Sequence, residues 1–321
     1  MGESGQQHTV FGDNTFDGYG QLMEAAGRRE PITVAVAHPC DAAALTSAVD
    51  AAKAGLIMPI LVGPQAKIRA AAEAAGLDLA GYRIVDAEHS NDAAAKAVAL
   101  VRAGEAEALM KGSLHSDELL AEVVHATTGL RTGRRITHCF IMDVPTYPKP
   151  LIITDGAVNV APDLKVKRDI VQNAIDLAHV LRIELPLVAI LAAVETVNPD
   201  MQATLDAAAL CKMADRGQIT GGILDGPLAF DNAISMEAAR TKGIRSPVAG
   251  QADILVVPDL EAGNILAKQL TFLTRADAAG IVLGARVPII LTSRADSVRS
   301  RMASCAVAVL LAYARREAQA A

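Results

Sequence analysis

Tryptophan is absent from this chain, and aromatic residues make up only 3% of its 321 residues. The core must therefore be filled by Ala, Val, Ile and Leu, which suits parallel strands covered by Ala-rich helices. Cysteine is scarce and scattered, at Cys40, Cys139, Cys211 and Cys305. No pair has CxxC spacing, which argues against a zinc site or a disulfide framework and fits a reduced, cytoplasmic protein. Positive charge is short as well. A formal net charge of −6 excludes a nucleic-acid binder that works through bulk basicity, so an anionic ligand must be met by local cations. No apolar run is long enough for a membrane span, and the stretch 305–313 falls well short of one. The opening MGESGQQHTVFGDN is polar and lacks the apolar centre of a signal peptide. Neither GxGxxG nor GxxxxGK[ST] occurs, and the seven histidines form no HExxH pattern, so no metal is expected.

Hydrophobic residues amount to 51%, enough for two domains or one large one. Short apolar runs alternate with helical patterns after a loose first dozen residues. Strands are expected at 32–37, 57–62, 82–85, 108–110, 139–144, 151–154, 187–193, 222–224, 253–257, 281–284 and 287–291. Helices are expected at 41–55, 65–76, 92–103, 117–126, 164–181, 201–216, 263–274 and 298–316. Such alternation predicts an α/β fold with a mostly parallel sheet. The basic, glycine-containing GLRTGRR at 129–135 precedes tight Pro-rich turns, which places a domain crossing there. A second crossing falls at 279–288. The expected domains are 1–136 plus 284–321, and 137–283.

The most informative stretch is PIILTSRADSVRSR, 288–301. An apolar run stops at Thr292, and a helical pattern follows Ser297. A buried strand, a short turn and a helix N-terminus are implied, at the end of the sheet where α/β proteins bind ligands. Free helix N–H groups beside Arg294 form an anion site. Arg294 offers a planar fork to phosphate or a developing oxyanion, and Ser293 can hydrogen-bond a thiol or phosphate. The competing reading makes Arg294 a surface ion pair and Asp296 or Ser297 a helix cap; Ser297 is taken as a cap in either case.

Three other turns invite a ligand. In ALMKGSLHSDELL, Lys111 supplies charge, Gly112 lets backbone approach a phosphate, and Ser113, His115 and Ser116 lead into a helix; an ordinary capped βα loop explains the same residues. In LIITDGAVNVAPD, Asp155 reads as an Asx turn, and Asn159 stays open between turn and ligand. In DILVVPDLEAGNILAK, Gly263 and Asn264 open a helix, with Asn264 either binding or capping.

The segments ITDGAVNVAPDL, AAVETVNPDM, DAAALCKMADRGQITGGILDGPLAFDNAIS, SPVAGQADILVVPDLEAGNILAK and VPIILTSRADS resemble, in order, the phosphate acetyltransferase/phosphate butyryltransferase family. The likeness runs from about Pro31 to the C-terminus and is greatest to the butyryltransferase-like branch. That branch includes acyltransferase domains fused to a MaoC-like hydratase domain, for which this chain's length leaves no room. The resemblance implies a two-domain isocitrate/isopropylmalate dehydrogenase-like fold with an interdomain active-site cleft, assembled as a homodimer or larger oligomer. It implies reversible transfer of a short acyl group between coenzyme A and inorganic phosphate, with acyl-CoA, phosphate and acyl phosphate as substrates and no metal or other cofactor. The family's catalytic Ser-Arg pair falls on Ser293 and Arg294. Its later carboxylate base falls on Ser300, which leaves Asp296 as the nearest alternative base. Tyr147 stands where the acetyltransferase branch carries Cys, and Ala121 and Phe272 stand where it carries Arg. With no Cys at 147, direct attack in a ternary complex is the expected route. A dehydrogenase of the same fold and a non-catalytic CoA or acyl-phosphate sensor are the competing classes.

Overall fold

A computed structural model describes residues 18–293 and 296–320. In chain order the elements are α1 (Gly18–Gly27), β1 (Ile32–Ala37), α2 (Ala42–Lys53), β2 (Ile57–Gly63), α3 (Gln65–Ala75), β3 (Arg83–Asp86), α4 (Ser90–Arg102), β4 (Ala108–Lys111) and α5 (Ser116–Val123). The chain continues through β5 (Thr137–Asp143), β6 (Leu151–Thr154), α6 (Leu164–Val180), β7 (Leu187–Leu191), α7 (Gln202–Asp215) and β8 (Ile223–Leu228). It ends with α8 (Phe230–Ile234), α9 (Met236–Thr241), β9 (Ile254–Val256), α10 (Leu260–Thr274), β10 (Asp277–Leu283), β11 (Ile289–Ile290) and α11 (Val298–Ala320). This is a mixed α/β fold. Among the described residues no helix is long and apolar enough to cross a membrane.

The chain divides into two compact units: a terminal unit made of Leu22–Ile136 and Ala279–Ala321, and a central unit containing Thr137–Ala278. In the terminal unit the strands run in the order β3-β2-β1-β4-β11-β10. The first five of these pair in parallel, and β10 pairs antiparallel with β11. Strand β1, ITVAVA, is apolar apart from Thr33 and buried along most of its length, as expected where helices cover both faces of a parallel sheet. Chain order reverses between β1 and β4, because β2 and β3 continue to one side of β1 and β4 lies on the other. Such a reversal leaves a crevice beyond the strand ends, the place where open α/β sheets take ligands.

The central unit has strand order β5-β6-β9-β7-β8, with β5 antiparallel to β6 and the other pairs parallel. Its core packs Met142, Leu151, Ile153, Leu228, Val248 and Leu255 with small Ala residues between them. Tyr147 belongs to this core: its hydroxyl donates to the Ala252 carbonyl at 2.6 Å. Burial pushes its phenol well above the usual range.

Two expectations are corrected. Helix α10 starts at Leu260, capped by Asp259 Oδ1 accepting from Ala262 N at 2.8 Å. Gly263 and Asn264 therefore lie inside the first turns instead of opening the helix. The Asp of PDLEAGN reaches the free N–H groups first, so a later residue is not needed as a cap. The strand expected at 222–224 runs on to Leu228 as β8 and is followed by the short helix α8.

Candidate active site

At the carboxyl edge of the terminal-unit sheet, Ala37 lies opposite Lys111, and Met110 lies opposite Ile290. The turns that follow β1, β4 and β11 are therefore neighbours. Lys111 ends β4 and is only 9% exposed. Its ammonium donates to the carbonyls of Gly112 at 3.2 Å and Leu114 at 3.1 Å, which offsets the desolvation of a buried cation and fixes its position.

Gly112 is required by geometry. A Cβ there would sit 2.4 Å from the Ala37 carbonyl oxygen and 2.5 Å from that of His38. The bare backbone lets Gly112 N donate to Ala37 O and Ser113 N to His38 O, both at 2.9 Å. Ser113 turns its hydroxyl to His38, reaching the carbonyl at 2.8 Å and Nδ1 at 3.0 Å. His115 is the N-cap residue of α5; its N–H donates to Glu118 Oε2 at 2.8 Å, and Ser116 is the first helical residue.

Beyond β11 the backbone N–H of Ser293 donates to Asp296 Oδ2 at 2.6 Å, and Asp296 N donates back to the Ser293 carbonyl at 3.2 Å. This latch ties Ser293 to Asp296; Arg294, the residue predicted beside them, lies outside the described residues. Burial raises the Asp296 carboxyl, against the lowering effects of the Ser293 bond and the charges of Arg301 and Lys111. Ser297 caps α11, its hydroxyl accepting from Ser300 N at 3.0 Å. Ser300 is buried, within 3.1 Å of the Ser297 hydroxyl. Its place carries no carboxylate, and the nearest acid along the chain is Asp296.

Lys111, Gly112, Thr292 and Ser293 line one small, partly open cavity, together with Asp41, Ser47 and Arg301 among others. The lining combines two cations with hydroxyl and backbone groups, a set suited to a small anion, and one carboxylate, Asp41, whose Oδ1 is engaged by Ala44 N at 2.7 Å. Ser113, His115 and Ser116 are not in this wall, nor is His38, which neighbours it through Gly112 and Asp41.

The central unit gathers its own candidates at the ends of β6 and β9. Asp155 is 2% exposed. Its Oδ1 accepts from the N–H groups of Ala157 and Val158, both at 3.0 Å, which is the expected turn. Its Oδ2 accepts from Asn159 Nδ2 at 2.6 Å, so Asn159 braces that turn. Gly263 meets Gly156 backbone to backbone, since a Cβ on Gly263 would lie 2.9 Å from Gly156 Cα. Asn264 Nδ2 donates to Gly156 O at 3.2 Å. Asn159, Gly263 and Asn264 are thus brought together around the 155–159 loop.

The four thiols are poor nucleophiles. Burial pushes Cys40 up to about 11 and each of Cys139, Cys211 and Cys305 up to about 12, so none is a thiolate near neutrality. Among the described residues no group of three or more His, Cys, Asp and Glu side chains is placed to hold a metal ion.

Sequence reasoning missed His38. It follows β1 at the reversal point, with a left-handed φ of 55°. The available signal was AHPCD at the end of an apolar run, a polar ring just before proline. Backbone preferences gave no hint, because a residue preceding proline is biased toward extended conformations.

The sequence was compared with known proteins. The family described as "Phosphate acetyl/butaryl transferase" matches residues 87–309. A phosphate acetyltransferase of Rhizobium meliloti is 65% identical over 94% of this chain and 96% of its own length. A phosphate butyryltransferase of Clostridium acetobutylicum is 42% identical over 92% of this chain and 98% of its own. Among solved structures, a branched-chain phosphotransacylase from Enterococcus faecalis V583 superposes with a TM-score of 0.77 at 30% identity, covering 88% of this chain and 99% of that one. With a strand-end cavity lined by Lys111 and Ser293 and relatives matched along nearly their whole lengths, this chain belongs to the phosphate acetyl/butyryl transferase family.

Proposed function

We propose that the chain catalyses acyl-CoA + phosphate ⇌ acyl phosphate + CoA by direct attack in a ternary complex. The observation that carries this reading is the single cavity lined by Lys111, Gly112 and Ser293, beside the latched Asp296, in a chain 65% identical to a phosphate acetyltransferase. That identity favours acetyl as the transferred group.

Both directions pass through one tetrahedral oxyanion, so the protein has little covalent chemistry to do. Holding two anionic reactants in line supplies much of the acceleration. Lys111 and Arg294 neutralise the phosphate and the developing oxyanion. Gly112, Ser113, His115 and Ser116 contribute to substrate binding as the turn and helix start that carry Lys111 to the phosphate end; the N–H groups of Gly112, Ser113 and His115 are spent within the fold. Ser293 hydrogen-bonds the thiol sulfur, and Asp296 exchanges the thiol proton, a task that its raised pKa favours. Asn159, Gly263 and Asn264 contribute to substrate binding through the 155–159 loop that they shape. Coenzyme A acts as a substrate.

The finer features implied by the resemblance belong to the same proposal: domains 1–136 plus 284–321 and 137–283 in an isocitrate/isopropylmalate dehydrogenase-like arrangement with an interdomain cleft, a homodimer or larger oligomer, and a cytoplasmic location. The test of the site is Arg294→Ala. It is expected to abolish turnover while leaving the melting temperature within a few degrees of the parent. Near-normal activity in the purified variant would refute the assignment.

A further inference from the structure

Acyl transfer to phosphate has a proton problem at the phosphate end. When a thiolate displaces phosphate from an acyl phosphate dianion, the leaving group without a proton is the trianion, a very poor one. In the opposite direction the attacking hydrogen phosphate must lose its proton as the O–C bond forms. Asp296 is latched to the Ser293 turn and serves the thiol, so a second group is required on the far side of Lys111. Along the sheet edge the order is β11, β4, β1. It carries Ser293 with Asp296, then Lys111 to Ser113, then His38.

Building on the acyltransferase reading, we infer that His38 is the proton carrier for the phosphate, held in place by Ser113. The hydrogen bonds assign its tautomer. A serine hydroxyl has one proton. The Ser113 oxygen is 2.8 Å from the His38 carbonyl, which can only accept, so that proton lies between them. Toward His38 Nδ1, at 3.0 Å, the same oxygen accepts. Nδ1 therefore carries the ring proton, and Nε2 holds the lone pair. Nε2 makes no hydrogen bond among the described residues.

The backbone pins the ring as well. His38 N donates to Val62 O at 2.6 Å, and the His38 carbonyl accepts from Cys40 N and Ser113 N, both at 2.9 Å. A left-handed φ on a non-glycine residue before proline is a costly conformation, and such strain persists where surrounding structure enforces it, most often at functional sites. The charged groups facing the ring are Lys67 on α3, Glu118 on α5 and Asp41 capping α2. Burial and Lys67 lower the imidazole's pKa, and Glu118 and Asp41 oppose them. The ring is thus a neutral base when hydrogen phosphate arrives.

The balanced step is as follows. Hydrogen phosphate attacks the thioester carbonyl; its O–H proton passes to His38 Nε2 as the O–C bond forms. The intermediate collapses, the C–S bond breaks, and the departing thiolate takes the proton of Asp296. Solvent then removes the proton from His38 and restores one to Asp296. In reverse, protonated His38 gives its proton to the leaving phosphate.

The test is His38→Asn, assayed from acetyl phosphate and CoA across a pH series. Asn tolerates a left-handed φ, and its amide can replace the Nδ1–H bond to Ser113, but it cannot titrate. In this direction thiol ionisation accelerates the reaction as pH rises, so a falling alkaline limb reports a protein acid. The wild type is expected to show that limb. His38→Asn is expected to lose it, with kcat down about 10²–10⁴-fold and KM for acetyl phosphate little changed. Added imidazole is expected to restore part of the activity of His38→Ala. Unchanged kcat in His38→Asn overturns the inference, as does a lower kcat with the limb intact and no imidazole rescue. A wild-type protein without phosphate-dependent turnover refutes the acyltransferase reading itself, and the His38 role with it.

Discussion

Gly112 allows the site's geometry to be perturbed with a known displacement. Replacing it by Ala puts a methyl carbon 2.4 Å from the Ala37 carbonyl oxygen and 2.5 Å from that of His38, where ordinary contact begins at 3.4 Å. The shortfall is about 1 Å, and both neighbours are backbone atoms that cannot rotate away. The turn must therefore lift off the end of β1, at the expense of two hydrogen bonds of 2.9 Å, Gly112 N to Ala37 O and Ser113 N to His38 O. Overpacking of this kind costs ~1–3 kcal/mol. A displacement of ~1 Å at a reacting group costs on the order of 10²-fold in rate. Gly112→Ala is therefore expected to lower the melting temperature by a few degrees and kcat by about 10²-fold or more. Gly133→Ala is the control, because a Cβ there meets nothing within 4 Å, and both quantities should stay at parental values. Scanning calorimetry and a thiol-release assay on the same preparations read both effects. A Gly112→Ala enzyme matching the parent in stability and rate would refute the claim that this close approach positions the site.

Two further outcomes follow from buried groups. Lys111→Met keeps the apolar stem and removes the cation, and is expected to reduce kcat/KM for phosphate by ~10²–10³-fold, measured by steady-state kinetics; a change under threefold would exclude Lys111 from charge stabilisation. His138 is fully buried with both ring nitrogens unpartnered, and burial lowers its pKa from 6.5 to about 4 against the raising effect of Asp155. The unfolded chain then binds the proton first, so stability is fully present above about pH 6.5 and is lost as pH falls toward 4. The loss amounts to roughly 3 kcal/mol. Denaturant titrations at pH 7 and pH 4.5 should show a smaller pH dependence for His138→Met than for the parent, and an unchanged dependence would contradict this origin.

The sequence made the local signals plain. Apolar runs bounded by turn residues marked most strands, and the abrupt stop at Thr292 with Ser297 behind it marked the turn that Asp296 now latches. The Asp-Gly pair announced the turn at Asp155. What stayed hidden depends on contacts between distant segments. Gly156 and Gly263 lie far apart in the chain, and their close approach has no local signature. The role of Gly112 depends on the end of β1, and the left-handed conformation of His38 runs against its own local preference. Asn264 was misplaced because Asp259 competed successfully for the helix start. Helix α8, at five residues, is too short for periodicity to register.

The most direct test of the account is phosphate-dependent release of free thiol from acetyl-, propionyl- and butyryl-CoA by the purified protein. Release that requires phosphate, fastest with acetyl-CoA, is the predicted result. No release from any of the three by a folded protein, or release that proceeds equally without phosphate, would contradict it.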